Sequence, residues 1–410
     1  MRSVSERTQQ LQGSPIRRLV PLATAAKKRG IHVYHLNIGQ PDIPTPKSFM
    51  DGVRNAPIEV LSYSPAQGIQ ETIEAMLKYY ADAGIELTED QLRVTIGGSE
   101  SFAFALQTTC NPGDEVLVPE PFYPNYAGHA LVNGIKVVPI TTKIEDGFHL
   151  PPIDQVEPLI TSRTKAILFS NPANPTGVGY TREELEGVAK LALKHDLFVI
   201  SDEPYRELMY DGHAVGILEF PELAEHAILV DSISKRLSAC GARIGCLASR
   251  NADVMTSVNK LCMIRLSPPT FAQYGLISFL KDPNHQDEIA AMQAKFHSRR
   301  DTLFDALQTI PGVCCRKPEG AFYIMVKLPQ VEDSEDFVKF MMNDFNLDGE
   351  TTMVAPGAGF YASEGMGHDE VRIAYVLEEA KLVRAVEVLK AGLEAYAQER
   401  DAVGASAGAS

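Results

Sequence analysis

The chain has 410 residues, 45% of them hydrophobic and 22% charged, which is ordinary globular composition with room for two domains or one large domain and an appendage. Its net charge of −15 argues against nucleic acid or an acidic membrane surface as a general partner, while leaving space for a local basic pocket that binds phosphate. The six cysteines form no CxxC pair and have no histidine cluster beside them, so they read as idle thiols in a reducing compartment, and no metal site is expected.

The amino terminus, Met1-Arg2-Ser3-Val4-Ser5-Glu6-Arg7, lacks the apolar core of a signal peptide, and no apolar run reaches membrane-spanning length. A cytoplasmic protein is expected. The spacing of Ile16, Leu19, Leu22, Ala23 and Ala26 predicts a short helix, followed by the extended piece Val33 to Asn37 and a break at Gly39 and Pro41-Asp42. Ile69, Ile73, Met76, Leu77 and Tyr80 fall on one face of a helix over 68–83.

From there strands and helices alternate. Strands are expected at 93–96, 115–118, 136–139, 166–169, 197–200, 228–230 and 244–248. Gly97-Gly98-Ser99-Glu100 reads as a tight turn ahead of a helix over 100–110, and Thr181-Arg182-Glu183-Glu184 as a capping box that opens another helix. Short apolar strands between amphipathic helices imply an α/β fold with a largely parallel sheet covered on both faces, in which ligands bind beyond the carboxyl ends of the strands. After residue 285 the texture changes to long helices at 286–308 and 378–398 with strands near 320–326 and 371–375, a smaller α+β domain joined by the amino-terminal segment. The small residues of 401–410 read as a disordered tail.

Three stretches follow strands and carry chemistry: Asn171-Pro172-Ala173-Asn174-Pro175-Thr176-Gly177, Asp202-Glu203-Pro204-Tyr205, and Ser232-Ile233-Ser234-Lys235 with Arg243 downstream. Taken singly, each has a bland reading: a turn, a loop-capping aspartate, a solvated lysine. Taken in order, NPxNPTG, DExY and SxSK with a following arginine resemble the fold type I aminotransferases that use pyridoxal phosphate, of class I/II and similar to aspartate aminotransferases. The resemblance extends from Asn37-Ile38-Gly39-Gln40-Pro41-Asp42 to Val371-Arg372-Ile373-Ala374.

The resemblance implies a large cofactor-binding domain at 46–285 with a mostly parallel seven-stranded sheet, and a small domain from 15–45 and 286–400. It implies that Lys235 forms the Schiff base with pyridoxal 5'-phosphate and then shuttles the proton. Arg236 and Arg243 are the nearby charges that would lower its pKa. Asp202 would face the pyridine nitrogen, and Tyr205 and Asn174 would bond the phenolic oxygen. Gly98, Ser99, Glu100, Ser232, Ser234 and Arg243 would hold the phosphate, with backbone amides at Gly97-Gly98 pointing at the anion. Tyr63 would be lent to that phosphate by a neighbouring subunit, making a homodimer with a shared active site. Tyr123 would stack on the ring, a place Phe122 or Tyr126 could also take; some relatives carry tryptophan there, and this chain has none. Gly39, Asn174 and Arg372 would meet the substrate, Arg372 through its carboxylate. The histidines, His129 included, have no constellation and read as structural.

The implied reaction moves an amino group from an L-amino acid, aspartate or a broad range, to a 2-oxo acid by a ping-pong route. Ser99 stands where some aspartate-using relatives place a lysine, so aromatic and alanine-type donors remain alternatives. So do a carbon–sulfur β-lyase and a cyclising synthase on the same scaffold. A ligand-sensing domain of a regulator is the least expected reading, since it calls for a DNA-binding module ahead of the domain and about fifteen residues precede the first expected helix.

Overall fold

In the computed structural model, which describes residues 2–11, 13 and 16–407, the strands are β1 (His32–His35), β2 (Leu92–Thr95), β3 (Glu115–Glu120), β4 (Lys136–Thr141), β5 (Thr164–Ser170), β6 (Phe198–Asp202), β7 (Ala227–Ser232), β8 (Gly245–Ala248), β9 (Cys314–Cys315), β10 (Tyr323–Lys327), β11 (Glu350–Met353), β12 (Ala355–Pro356) and β13 (Glu370–Ala374). Seven of them form one sheet in the order β2-β8-β7-β6-β5-β3-β4. The pairs from β4 through β3, β5 and β6 to β7 are parallel, whereas β8 runs antiparallel to both β7 and β2. The central strands are apolar and buried on both faces, as a helix-covered sheet demands.

Register brings the chemistry to one edge. Ser170 pairs with Asp202 across β5 and β6, while Ser232 and Thr95 each pair with Gly245. The ends of β2, β5, β6 and β7 and the start of β8 therefore share that edge. Gly245 has to be glycine, because a Cβ would stand 2.4 Å from the Asp231 carbonyl oxygen.

The helix after β2 spans Gly97–Thr109, so it starts three residues before the expected 100, and Gly97-Gly98-Ser99 is its first turn instead of a separate one. Two features account for this. Gly97 takes φ +71, where a Cβ would also meet the Arg243 guanidinium at 2.4 Å, and the Glu100 carboxylate accepts the Ile96 amide at 2.8 Å. The expected capping box at Thr181 is present and opens the helix Arg182–His195, which buries Leu185, Val188, Ala189 and Ala192.

The second half builds a four-stranded antiparallel sheet in the order β12-β13-β10-β9, with β1 and β11 as a parallel pair beside it. The Ala374 amide bonds to the Leu36 carbonyl at 2.7 Å, which seats the amino-terminal segment against β13. Arg299 pairs with Asp42 at 2.7 Å and fixes the turn after Gly39. Helices His285–Leu307 and Glu379–Ala407 cover this layer. The latter runs past the expected end, so 401–407 is helical where a loose tail was expected, and 408–410 lie outside the described residues. One apolar cluster joins Leu19, Ala23 and Val33 to Phe296, Phe337 and Leu389, while two others pack on the faces of the large sheet.

Candidate active site

Beyond that edge lies a cavity of about 1000 Å³. Gly39, Gly98, Ser99, Tyr123, Asn174, Asp202, Tyr205, Ser232, Ser234, Lys235, Arg243 and Arg372 all line it. Two residues named with them do not. Glu100 uses its carboxylate on the Ile96 amide and on Arg265 at 2.9 Å, so it caps the helix, and only its backbone amide is left to offer an anion. Tyr63 is 79% exposed on the outer surface.

Lys235 follows β7, and its Nζ donates to the Gly39 carbonyl at 2.9 Å, so the amine is held across the cavity from its own strand. Arg236 does not supply the charge expected of it. Its guanidinium forms a buried two-point pair with Asp231, 2.9 Å at each contact, and stacks over Tyr79. That pair, with Tyr80 donating to Asp231 at 2.5 Å, anchors the turn from below and neutralises itself.

Asp202 ends β6 against the cavity. Burial pushes its carboxyl up to about 7, with the charges of Asp231 and Glu203 adding to the rise; the Tyr126 hydroxyl, donating at 2.5 Å, and Lys235 pull it down. An acid so placed calls for a proton or for a cationic group facing it. The ring of Tyr123, next to Tyr126, lines the same space, and burial raises its hydroxyl to about 12. Phe122 is buried and does not line the cavity, which leaves Tyr123 and Tyr126 of the three stacking candidates.

Gly98, Ser99, Ser232, Ser234 and Arg243 make a donor-rich cradle. Ser232 Oγ lies 2.8 Å from Ser234 Oγ, and Arg243 Nη1 reaches the latter at 3.4 Å. A Cβ on Gly98 would touch that of Ser232 at 3.4 Å, so the helix start and the end of β7 close on each other. Free amides at a helix amino terminus, two hydroxyls and a guanidinium suit a phosphate.

Across the cavity, Arg372 on β13 is 1% exposed and has no carboxylate partner among the described residues. Its Nη1 donates to Asn174 Oδ1 at 3.0 Å and its Nη2 to the Asn37 carbonyl at 2.7 Å, while Nε is buried without a partner. Burial lowers its pKa, and the rings of Tyr323 and Phe360 flank it. A buried guanidinium with an unused donor has capacity for a ligand carboxylate.

Sequence reasoning missed Tyr323, whose hydroxyl sits 2.9 Å from that of Tyr205 and 3.5 Å from the Gly39 carbonyl. It also missed Tyr126 as the partner of Asp202, Arg17 at the cavity wall, and His129, which lines the cavity edge-on to Phe102. Only the strand pattern of 320–326 pointed at Tyr323, and that pattern does not say which side chain faces in. Among the described residues no group of side chains is arranged to hold a metal ion, all six cysteines are free, and no helix is long and apolar enough to cross a membrane.

Residues 31–389 match the family model described as aminotransferase class I and II. The aspartate aminotransferase of Bacillus subtilis is 31% identical over 404 residues, covering 96% of this chain and 99% of its own. The structure of Thermus thermophilus aspartate aminotransferase with maleate aligns at TM-score 0.86 with 29% identity, over 96% of this chain and all of its own (100%). An alanine aminotransferase from Pyrococcus furiosus aligns at 0.87 with 30% identity, over 96% and 100% of the two chains. In sequence over nearly its whole length and in its α/β architecture, the chain belongs to the aminotransferase class I and II family, fold type I enzymes that depend on pyridoxal phosphate.

Proposed function

We propose that this enzyme holds pyridoxal 5'-phosphate in the cavity and moves an amino group between an L-amino acid and a 2-oxo acid, with aspartate as the leading donor. One observation carries the reading. A single cavity gathers a lysine amine, a buried carboxyl, an anion cradle and a buried arginine with an unused donor. These residues fit the cofactor. The raised acid of Asp202 suits a protonated ring nitrogen, the cradle suits a phosphate, and Tyr123 supplies a flat face.

When bound, the cofactor supplies an aldehyde carbon and a ring that accepts electron density. Lys235 would be the residue that holds that carbon and afterwards moves the proton at the substrate Cα. Asp202 would hold a proton at the ring nitrogen, and Tyr126, donating to Asp202, orients it and favours its ionised form. Asn174 and Tyr205 would donate to the ring hydroxyl oxygen, and Tyr323 keeps Tyr205 in place. Arg372 binds the α-carboxylate, and Gly39 presents its carbonyl to Lys235 and its bare Cα to Tyr323.

The assembly belongs to the same proposal. Val60, Leu61 and Tyr63 are exposed beside the exposed Met263, Ile264 and Leu266, the two segments being joined by Arg265 to the Ala66 carbonyl at 2.8 Å. A second copy of the chain would cover this apolar face and receive Tyr63 in its own phosphate cradle. We also propose the division into a large domain at 46–285 and a small domain from 15–45 and 286–400, which the apolar clusters largely follow, except that Tyr205, Leu208 and Tyr210 pack with the second half and Ile289 and Met325 with the first.

The test is a half-reaction followed by cofactor absorbance. The protein mixed with pyridoxal phosphate and freed of excess cofactor should show the absorbance of a Schiff base, and aspartate alone, without an oxo acid, should bleach it; Lys235→Ala should keep cofactor bound without the Schiff-base band and without bleaching by aspartate. A protein that stays colourless, or one whose colour no amino acid changes, would overturn the reading.

A further inference from the structure

Glu120 ends β3, is wholly buried, and has no part in the reaction proposed above. Its carboxylate takes four hydrogen bonds. Oε1 accepts Thr141 Oγ1 at 3.1 Å and Ser363 Oγ at 2.6 Å, while Oε2 accepts the amides of Ala362 and Ser363 at 2.9 and 3.0 Å. Three of these donors belong to one loop of the second half, so the acid ties that loop to the end of the large sheet. Two amides converging on one carboxylate oxygen make a fixed, charge-assisted contact, and without them the buried acid would be costly to keep.

The strand side of this contact is set by register. Glu120 stands opposite Thr141 in the parallel pairing of β3 and β4, and its carbonyl accepts both the amide of Thr142 at 3.1 Å and its hydroxyl at 2.7 Å. What the carboxylate fixes is therefore the loop. There Phe360 closes the short turn Ala358–Phe360, its carbonyl accepts the Phe122 amide at 2.8 Å, and its buried ring lies 5.0 Å from the Arg372 guanidinium carbon. Tyr361, the next residue, donates to Glu370 at 2.6 Å, two positions before Arg372 on β13. The acid thus reaches Arg372 by two short routes, through the Phe360 ring and through Tyr361 to the strand itself. Arg372 depends on such backing. Its Nε has no partner, Asn174 and the Asn37 carbonyl hold only the two Nη atoms, and the rings of Tyr323, at 4.5 Å, and Phe360 set the tilt of the plane. A carboxylate held by two parallel hydrogen bonds is sensitive to that tilt.

We propose that Glu120 is a positioning residue for the α-carboxylate site: by latching the loop 360–363 to the end of β3 it holds Phe360 against Arg372 and keeps the guanidinium aligned for the substrate. The proposal rests on the aminotransferase reading above, in which Arg372 meets that carboxylate. Glu120 touches neither substrate nor cofactor and acts only through the loop.

The experiment uses the holoenzyme and three readouts: calorimetric titration with propanoate, whose one carboxylate stands in for that of the substrate, kcat/KM for L-aspartate and L-alanine, and equilibrium dialysis of pyridoxal phosphate. Glu120→Ala should weaken propanoate binding and lower both values of kcat/KM by about 10-fold or more and to the same extent, while cofactor affinity moves by less than about threefold. Glu120→Gln keeps an oxygen for the two amides and an NH2 for the two hydroxyls, so it should recover most of the loss. In an Arg372→Ala background, Glu120→Ala should cost less than about threefold more in kcat/KM. Unchanged propanoate affinity and rates in Glu120→Ala, or a full further loss in the Arg372→Ala background, would overturn the assignment. Should Glu120→Ala not fold, Ser363→Ala removes one of the four bonds and should show the same pattern at about two- to fivefold; no loss there would overturn it equally. A wild-type holoenzyme that reacts with no amino acid would sink the aminotransferase reading itself, while the propanoate titrations would still decide the role of Glu120.

Discussion

The two walls of the cavity are built in different ways. The sheet wall, with Gly98, Ser99, Asp202, Ser232, Ser234 and Arg243, comes from loops at strand ends, and its internal bonds are largely local, such as Ser232 to Ser234 at 2.8 Å. The opposite wall, with Arg17, Gly39, Tyr323 and Arg372, comes from both ends of the chain and is held by long-range contacts: Arg372 to the Asn37 carbonyl at 2.7 Å, Lys235 to the Gly39 carbonyl at 2.9 Å. Register preorganises the first wall, whereas packing between layers sets the second. Damage to the sheet wall should therefore stay close to the altered group, and damage to the other should spread through its neighbours.

The most severe break removes the group where the walls meet. Lys235→Ala should cut turnover by about 10³-fold or more while the purified protein still takes up pyridoxal phosphate, checked by kinetics and by equilibrium dialysis of the cofactor. Near-native turnover would remove the lysine from the chemistry. Next comes Arg372→Ala, which takes away the buried cation of the far wall. Here kcat/KM should fall by about 10²-fold or more for every amino acid tested, without regard to side chain, because truncating a desolvated charge partner costs about 2–5 kcal/mol. A loss confined to acidic substrates would instead assign Arg372 to the side-chain carboxylate.

Gly39→Ala probes how far a disturbance spreads on the second wall. The new methyl would stand 2.0 Å from the Tyr323 hydroxyl, so the ring must shift and release Tyr205. A stability loss of about 1–3 kcal/mol is expected by denaturant titration, and the double variant with Tyr323→Ala should be more stable than the sum of the two single changes predicts. Additive effects would show that the two residues are not coupled.

On the sheet wall, Asp202→Asn is read through pH in the cofactor-free protein. The folded carboxyl titrates at about 7, above its ordinary value, so the unfolded chain gives up this proton first as pH rises. Wild-type stability is then fully present below the ordinary carboxylate range and declines until the folded group ionises at about 7. The variant lacks this slope, so its stability relative to wild type should grow from about pH 4 to about pH 7 and level off above, in thermal melts. Glu203 also titrates at about 7 and leaves part of the slope in place. A constant difference across that range would count against the raised acid.

The smallest effect is expected at a bridge between the halves. His149 bonds Glu184 and Glu319 at 3.1 Å each, and these bonds lift it to about 10. Its contribution, up to about 1 kcal/mol for so exposed a pair, is fully present below the ordinary histidine range and fades as pH rises through about 10. His149→Gln should remove that difference at neutral pH and make none near pH 11, measured by melts at both.

Much of the sheet wall was legible because its residues sit in contiguous motifs after apolar strands. Asp202 after 197–200 and Ser232 to Lys235 after 228–230 announce themselves by that juxtaposition. Arg236 misled, since a charge one residue from Lys235 in sequence turned out to be neutralised by Asp231 beneath it. Glu100 misled in the same manner, its carboxylate being taken up by a helix cap and Arg265. The contacts of Tyr323 with Tyr205, of Tyr126 with Asp202 and the place of Arg17 at the cavity wall carried no local signal, because nothing in a strand or turn pattern says which distant segment will lie alongside it.

The sequence by itself determined the α/β alternation, the strand-end placement of the motifs and the family they resemble, since periodicity and contiguous polar motifs are properties of neighbours along the chain. Only the tertiary structure decided that Arg372 is buried with an unused donor, that Lys235 reaches Gly39, and that Arg17 looks into the same cavity. Those facts depend on the docking of β10 and β13 and the amino-terminal segment onto the large sheet. That docking is set by many weak apolar contacts between residues far apart in the chain, and no single stretch of it records the outcome.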